Sequence, residues 1–268
     1  MINRRTGVAV LAAVGAVVPA LPLSPTAAVG TGTPSIGVVQ RRVVGHSVEG
    51  RPIWAVERGN PDASRRVVVV GQIHGDERAG VRTARYIVQH VPVSSGTDLW
   101  VVPTMNPDGL ALNTRQNSRG VDLNRNWPMN WHRGPQGTTY PGPRAASEPE
   151  TRAMLAFLKQ VQPRFLVSLH QPFGEVGKDP DKPIPFQRRL ARQLQLPLRK
   201  IDIAGPTRTS HQKGLQPGGA DNAPTLTGWY NAHYPGSAIT VELPAHPSRS
   251  YVTWVAGRGI LRASWALG

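Results

Sequence analysis

Apolar residues along this chain gather in short blocks, and several blocks stop at a residue that can do chemistry. Four valines, Val67–Val70, lead into Gly71-Gln72-Ile73-His74-Gly75-Asp76-Glu77. The run Phe165-Leu166-Val167-Ser168-Leu169 ends at His170, and Ala238-Ile239-Thr240-Val241 ends at Glu242. Blocks this short and this rich in β-branched residues predict buried strands. Leu99-Trp100-Val101-Val102-Pro103 predicts another strand, and the alternation over Val43–Val56 predicts a hairpin with Glu49-Gly50-Arg51-Pro52 as its turn. Helical spacing runs over Ala79–Val91, over Phe186–Leu196 as a basic amphipathic face, and over Val252–Ala266 near the C-terminus. A further helix extends to about Val161, with Ser147 as N-cap, Glu150 at the capping-box position and Pro163 as its stop. Strands alternating with helices define an α/β class, here a single domain with a central mixed, mostly parallel twisted sheet flanked by helices. A sheet of this kind places its site along the edge where the strands end.

Between these elements, residues 106–130 and 171–185 are polar and turn-rich and are expected as loops. Residues 204–225, rich in Gly and Pro, are expected to wrap over the site as a rim. At the N-terminus, Arg4 and Arg5 precede an apolar stretch from Val8 to about Leu23 and the small residues Thr26-Ala27-Ala28. Pro19 and Pro22 interrupt that stretch, which falls short of the roughly 20 apolar residues a membrane span needs. Residues 1–28 therefore read as a secretory signal peptide cut after Ala28, 29–40 as a flexible leader and 41–268 as the catalytic domain. No stable membrane insertion is expected after cleavage, and the mature protein is expected to be secreted into or beyond the cell envelope.

Composition narrows the chemistry. The chain of 268 residues contains no cysteine, so any metal must be held by His, Glu or Asp. Its formal net charge of +15 draws it to polyanions. The cations are scattered and lack the interleaved aromatics of a nucleic-acid module, so the accessible partners for an exported protein are an anionic cell-wall polymer or an acidic lipid surface, with a general arginine bias in composition as the alternative source of the charge.

His74 and Glu77 form an H-x-x-E pair on the turn leaving a strand, which can aim an imidazole and a carboxylate at one Zn²⁺. Catalytic zinc takes three protein ligands and keeps a fourth position open. His170, at the end of a separate strand block, is the expected third ligand, and one Zn²⁺ per chain is the expected cofactor.

The pattern around these residues resembles the zinc carboxypeptidases of the carboxypeptidase A clan. The matching segments are His74-x-x-Glu77, Asn106-Pro107-Asp108-Gly109, Arg115, Gly120-Val121-Asp122-Leu123-Asn124-Arg125-Asn126-Trp127, Ser168-Leu169-His170 and Val241-Glu242-Leu243, in the family's order. The resemblance implies that Glu242 is the general base, that Arg115 polarises the scissile carbonyl, and that Asn124 and Arg125 bind a substrate carboxylate. It implies a substrate-capping tyrosine, assigned to Tyr230 in competition with Trp229 and Tyr234. Asp122 is expected to orient its loop. Within the family, the run Arg115–Asn126 looks closest to bacterial murein peptide amidases, which implies a peptidoglycan stem peptide as substrate, cut between γ-D-glutamate and diaminopimelate. The alternatives are a metallocarboxypeptidase acting on ordinary peptides and an N-acyl amino acid deacylase.

Overall fold

The computed structural model describes residues 37–200 and 224–265. The segments expected as signal peptide and leader lie outside the described residues apart from the leader's last four, and so does nearly all of the expected rim. No helix among the described residues is long and apolar enough to cross a membrane.

In chain order the elements are β1 (Val38–His46), β2 (Pro52–Gly59), β3 (Arg65–Val70), α1 (Arg78–His90), β4 (Thr97–Val102), α2 (Pro107–Leu112), α3 (Pro149–Val161) and β5 (Phe165–His170). There follow β6 (Phe173–Gly177), α4 (Ile184–Leu194), β7 (Leu198–Arg199), α5 (Leu226–His233), β8 (Ser237–Pro244) and α6 (Arg258–Trp265). The eight strands among the described residues form one sheet in the order β1-β2-β4-β3-β5-β8-β6-β7. Its centre, β4-β3-β5-β8, is parallel, while β1, β2 and the β6–β8 pairing are antiparallel. The central strands are buried along almost their whole length, which is why they read as continuous apolar blocks rather than as alternation.

The two faces of the sheet carry separate cores. One packs Val67, Val69, Leu99, Val167 and Val241 under α1, α4 and α6. The other packs Val68, Val70, Trp100 and Leu166 under α3 and α5. Neighbouring residues of one strand enter opposite clusters, as the two-residue strand repeat requires.

Several expectations change in detail. The first strand starts at Val38, inside the segment expected as leader. Residues 106–130 are not plain loop. Asn106 caps α2 by accepting from the Gly109 N–H, Pro107 stands in its first turn, and Leu123–Arg125 makes a turn of 3₁₀ helix capped by Asp122. Ser147 does not cap α3, whose N-cap is Glu148 without a side-chain capping bond. The Ser147 hydroxyl donates to Glu148 Oε1 at 2.7 Å, and Glu150 is drawn inward to the Val48 N–H and Asn117. Tertiary partners outcompete the local box. The segment 171–185 contains β6, and the C-terminal helix begins as a π-helical segment, Tyr251–Gly257, before α6.

Candidate active site

His74 stands four residues beyond β3, and His170 closes β5. These are neighbouring parallel strands, and β4 lies on the other side of β3. The chain thus winds outward in both directions from the β3–β5 boundary, and a crevice opens where the strands reach their carboxyl ends. Glu77, the N-cap of α1, comes back into the same crevice. Register places Glu242 of β8 beside His170.

The tight turn from His74 to Glu77 depends on missing side chains. A Cβ on Gly75 would stand 1.9 Å from the Gly109 carbonyl carbon, and one on Gly80 would stand 1.7 Å from the Gly71 carbonyl oxygen. Neither glycine has a positive φ. They are needed not for conformational freedom but because main chain packs directly on main chain.

His74, Glu77 and His170 are all buried, and one potential ligand atom from each lies within 4.8 Å of the others. His74 Nδ1 is 2.7 Å from Glu77 Oε1, His170 Nδ1 is 3.0 Å from Glu77 Oε2, and the two Nδ1 atoms are 3.2 Å apart. The far side of each ring is held as well. His74 Nε2 is 3.2 Å from Asp122 Oδ1, and His170 Nε2 is 3.1 Å from the Ser168 hydroxyl. The carboxylate at Nε2 holds a proton of His74 there, which directs Nδ1, the potential ligand atom, at the centre. The two Nδ1 atoms and the Glu77 carboxylate converge on one point, where a bound cation or shared protons can bridge them. Burial opposes a charged His74, yet Asp122 and Glu77 outweigh it and raise its pKa to about 9, while His74 and His170 overcome burial to hold Glu77 down at about 2. Two imidazoles and one carboxylate are a donor set suited to zinc, with room for a fourth ligand.

Arg115 borders the same centre. Its Nε and Nη2 donate to Asp122 Oδ2 at 3.1 and 2.9 Å, and its Nη1 lies 3.2 Å from His74 Nδ1. Asp122 thus gives one oxygen to His74 and the other to the guanidinium. Sequence reasoning saw only a loop-orienting role for it, and gave Ser168, quoted within a matching segment, no role of its own. The single available signal for Asp122 was its place between Arg115 and Asn124. Asn106 completes the scaffold. Its Nδ2 donates to the Ile73 and Arg115 carbonyls at 3.0 and 3.4 Å, tying the metal turn to the arginine loop.

Glu242 is 7 % exposed, and its Oε2 has no hydrogen-bond partner. Burial raises its pKa, against the pull of His170. A buried carboxylate oxygen left open beside a cation site is disposed to accept a proton.

Asn124 and Arg125 sit on the 3₁₀ turn next to Asp122. Asn124 Oδ1 accepts from the Leu226 N–H at 3.1 Å, which docks α5 against this turn, and Arg125 Nη1 donates to the Asn124 carbonyl at 3.0 Å. Tyr230 corrects the sequence expectation. It is fully buried, and its hydroxyl donates to the Pro163 carbonyl at 2.5 Å, just ahead of β5, whereas His170 is at that strand's opposite end. Its ring stacks on Tyr234 at 4.9 Å. The apolar ring and its single carbonyl partner make it a core residue, not a substrate contact.

Residues 33–176 match the family model described as zinc carboxypeptidase. Murein peptide amidase A of Escherichia coli (strain K12) is 34% identical over 171 residues, covering 58% of this chain and 67% of that protein. Among solved structures, a murein-tripeptide amidase from Escherichia coli O157 superposes with a TM-score of 0.64 at 24% identity, over 85% of this chain and 93% of that one. Carboxypeptidase A from Helicoverpa armigera superposes with a TM-score of 0.67 at 18% identity, over 86% of this chain and 69% of that one.

Proposed function

This chain belongs to the zinc carboxypeptidase family and is a metallopeptidase, and from that premise we propose that it hydrolyses an amide bond in murein peptides, the bond joining γ-D-glutamate to diaminopimelate. The observation that carries the hydrolase chemistry is the convergence of His74 Nδ1, His170 Nδ1 and Glu77 beside the open oxygen of Glu242. The likeness to murein peptide amidase A supports the substrate, and so does a strongly basic chain facing an acidic stem peptide.

His74, Glu77 and His170 would hold the ion. Zinc bound there supplies a Lewis acid that polarises a carbonyl and makes water acidic near neutral pH. Glu242 takes the proton from the attacking water onto its open oxygen, then delivers it to the departing amine as the C–N bond breaks. Arg115, fixed by Asp122, offers Nη1 to the carbonyl oxygen as charge develops on it, at no cost of reorganisation. Arg125 and Asn124 orient the substrate's carboxylate from the 3₁₀ turn. Tyr230, buried and bonded to the Pro163 carbonyl, is given no role in holding the substrate. Export to the envelope through residues 1–28 fits a substrate that lies there.

The test incubates the zinc-loaded chain, with and without chelator, with L-Ala-γ-D-Glu-diaminopimelate and identifies the products by mass. Chelator-sensitive release of diaminopimelate is expected. No release from protein holding about one zinc per chain, with turnover of ordinary L-peptides instead, would overturn the wall substrate and leave a carboxypeptidase.

A further inference from the structure

The helical layer over one face of the sheet has an unbalanced charge. The segments α1, α4, Tyr251–Gly257 and α6 pack on a shared core; none of the four carries Asp or Glu, while α1, α4 and α6 carry eight arginines and one histidine. Arg82, Arg85, Arg188, Arg192 and Arg262 are exposed. The arginines that pair with carboxylates, such as Arg51, Arg66, Arg115 and Arg119, belong to other parts of the molecule. On α3, across the sheet, Glu150 accompanies Arg152 and Lys159. Unbalanced cations on one surface repel one another and lower stability, so a layer built this way is suited to an anionic partner.

The layer also begins at the active site. Arg78 follows Glu77 directly, and Arg78, Arg82 and Arg85 fall at i, i+4 and i+7 on α1, a stripe about 10 Å long at 1.5 Å rise per residue. A membrane surface is a poorer match. Of the large apolar side chains that are exposed, Trp254 is the one on these helices, and Arg258 covers its ring at 3.8 Å from the centroid. Repeated guanidinium forks suit repeated phosphates, which they bind in bidentate fashion.

The geometry points to this arginine layer as the docking surface for a linear phosphodiester polymer of the cell wall, which holds the enzyme on the wall with its site at one end of the bound strand. The choice of a wall polymer rests on the murein reading above; the binding itself does not. Charge complementarity carries the argument, and a bound polymer would raise the local concentration of murein peptides without touching the reacting groups.

The test measures binding of the full chain to poly(glycerol phosphate) over a salt series, with duplex DNA and phosphatidylglycerol vesicles as competing anions. R82E/R85E/R192E is expected to weaken polymer binding by about tenfold or more and to flatten its salt dependence, with the melting temperature and tripeptide turnover unchanged. R41E/R133E/K159E removes the same charge elsewhere and is expected to cost less than about threefold. Equal losses in the two sets would overturn the surface assignment, and tighter binding of DNA or vesicles per phosphate would overturn the partner. Should the reversal variant fold poorly, R82Q/R85Q/R192Q gives the same ranking with smaller losses. No peptide substrate enters the binding measurement, so its failure and a failed amidase assay remain distinguishable.

Discussion

The two walls of the active site treat buried charge in opposite ways. On the β3 side, the buried charges around His74 are tied. Asp122 holds His74 and Arg115, Asn106 ties the metal turn to the arginine loop, and Asp108 accepts from Ser47, Arg51, Ser118 and the Glu49 N–H. On the β5–β8 side, Ser168 steadies His170, but Glu242 keeps an oxygen without any partner. The first wall is a fixed electrostatic frame; the second leaves one proton acceptor available. Preorganisation requires the first, and proton transfer requires the second.

Four substitutions probe that contrast. Glu242→Gln removes the acceptor and is expected to lower kcat by about 10³-fold or more, while metal content and melting temperature stay near wild type. A loss of zinc alongside activity would mean that Glu242 belongs to the frame. Arg115→Gln keeps a polar side chain but not the charge, and kcat should drop by about 10²–10³-fold with KM moving less; an effect confined to KM would assign Arg115 to ground-state binding. Asp122→Asn keeps the shape and removes the charge that orients His74, so zinc affinity should fall about 10–100-fold, as a chelator-competition titration would register. Unchanged affinity would make Asp122 a partner of Arg115 alone. Tyr230→Phe, far down the strands, should leave kcat/KM untouched and cost only about 1 kcal/mol of stability through the lost bond to Pro163. A kinetic defect there would restore it to the substrate site.

The legible part of this molecule was its frame of strands. Val67–Val70, Phe165–Leu169 and Ala238–Val241 announce themselves because both sheet faces are covered, and ligands at their ends follow from the sheet's geometry. Choices among several possible partners were hidden. Ser147 had a good local signal as a cap, yet its neighbour Glu148 and the distant Asn126 claimed its hydroxyl. Tyr230 stood near the right place in sequence, but α5 turns its ring toward Pro163 instead of the crevice. The helix α2 could have been read from Asn106-Pro107, a cap followed by a first-turn proline, had the polarity of its surroundings not argued for loop. The arginine layer was visible only as net charge until the sheet sorted the helices by face.

The contact of Gly75 with Gly109 sets a tolerance. With no side chain between the ligand turn and α2, their separation is fixed by main chain against main chain, where no rotamer can drift. A turn braced in this way keeps the spacing of His74 and Glu77 independent of what lies between them, so the arrangement is set by the fold alone.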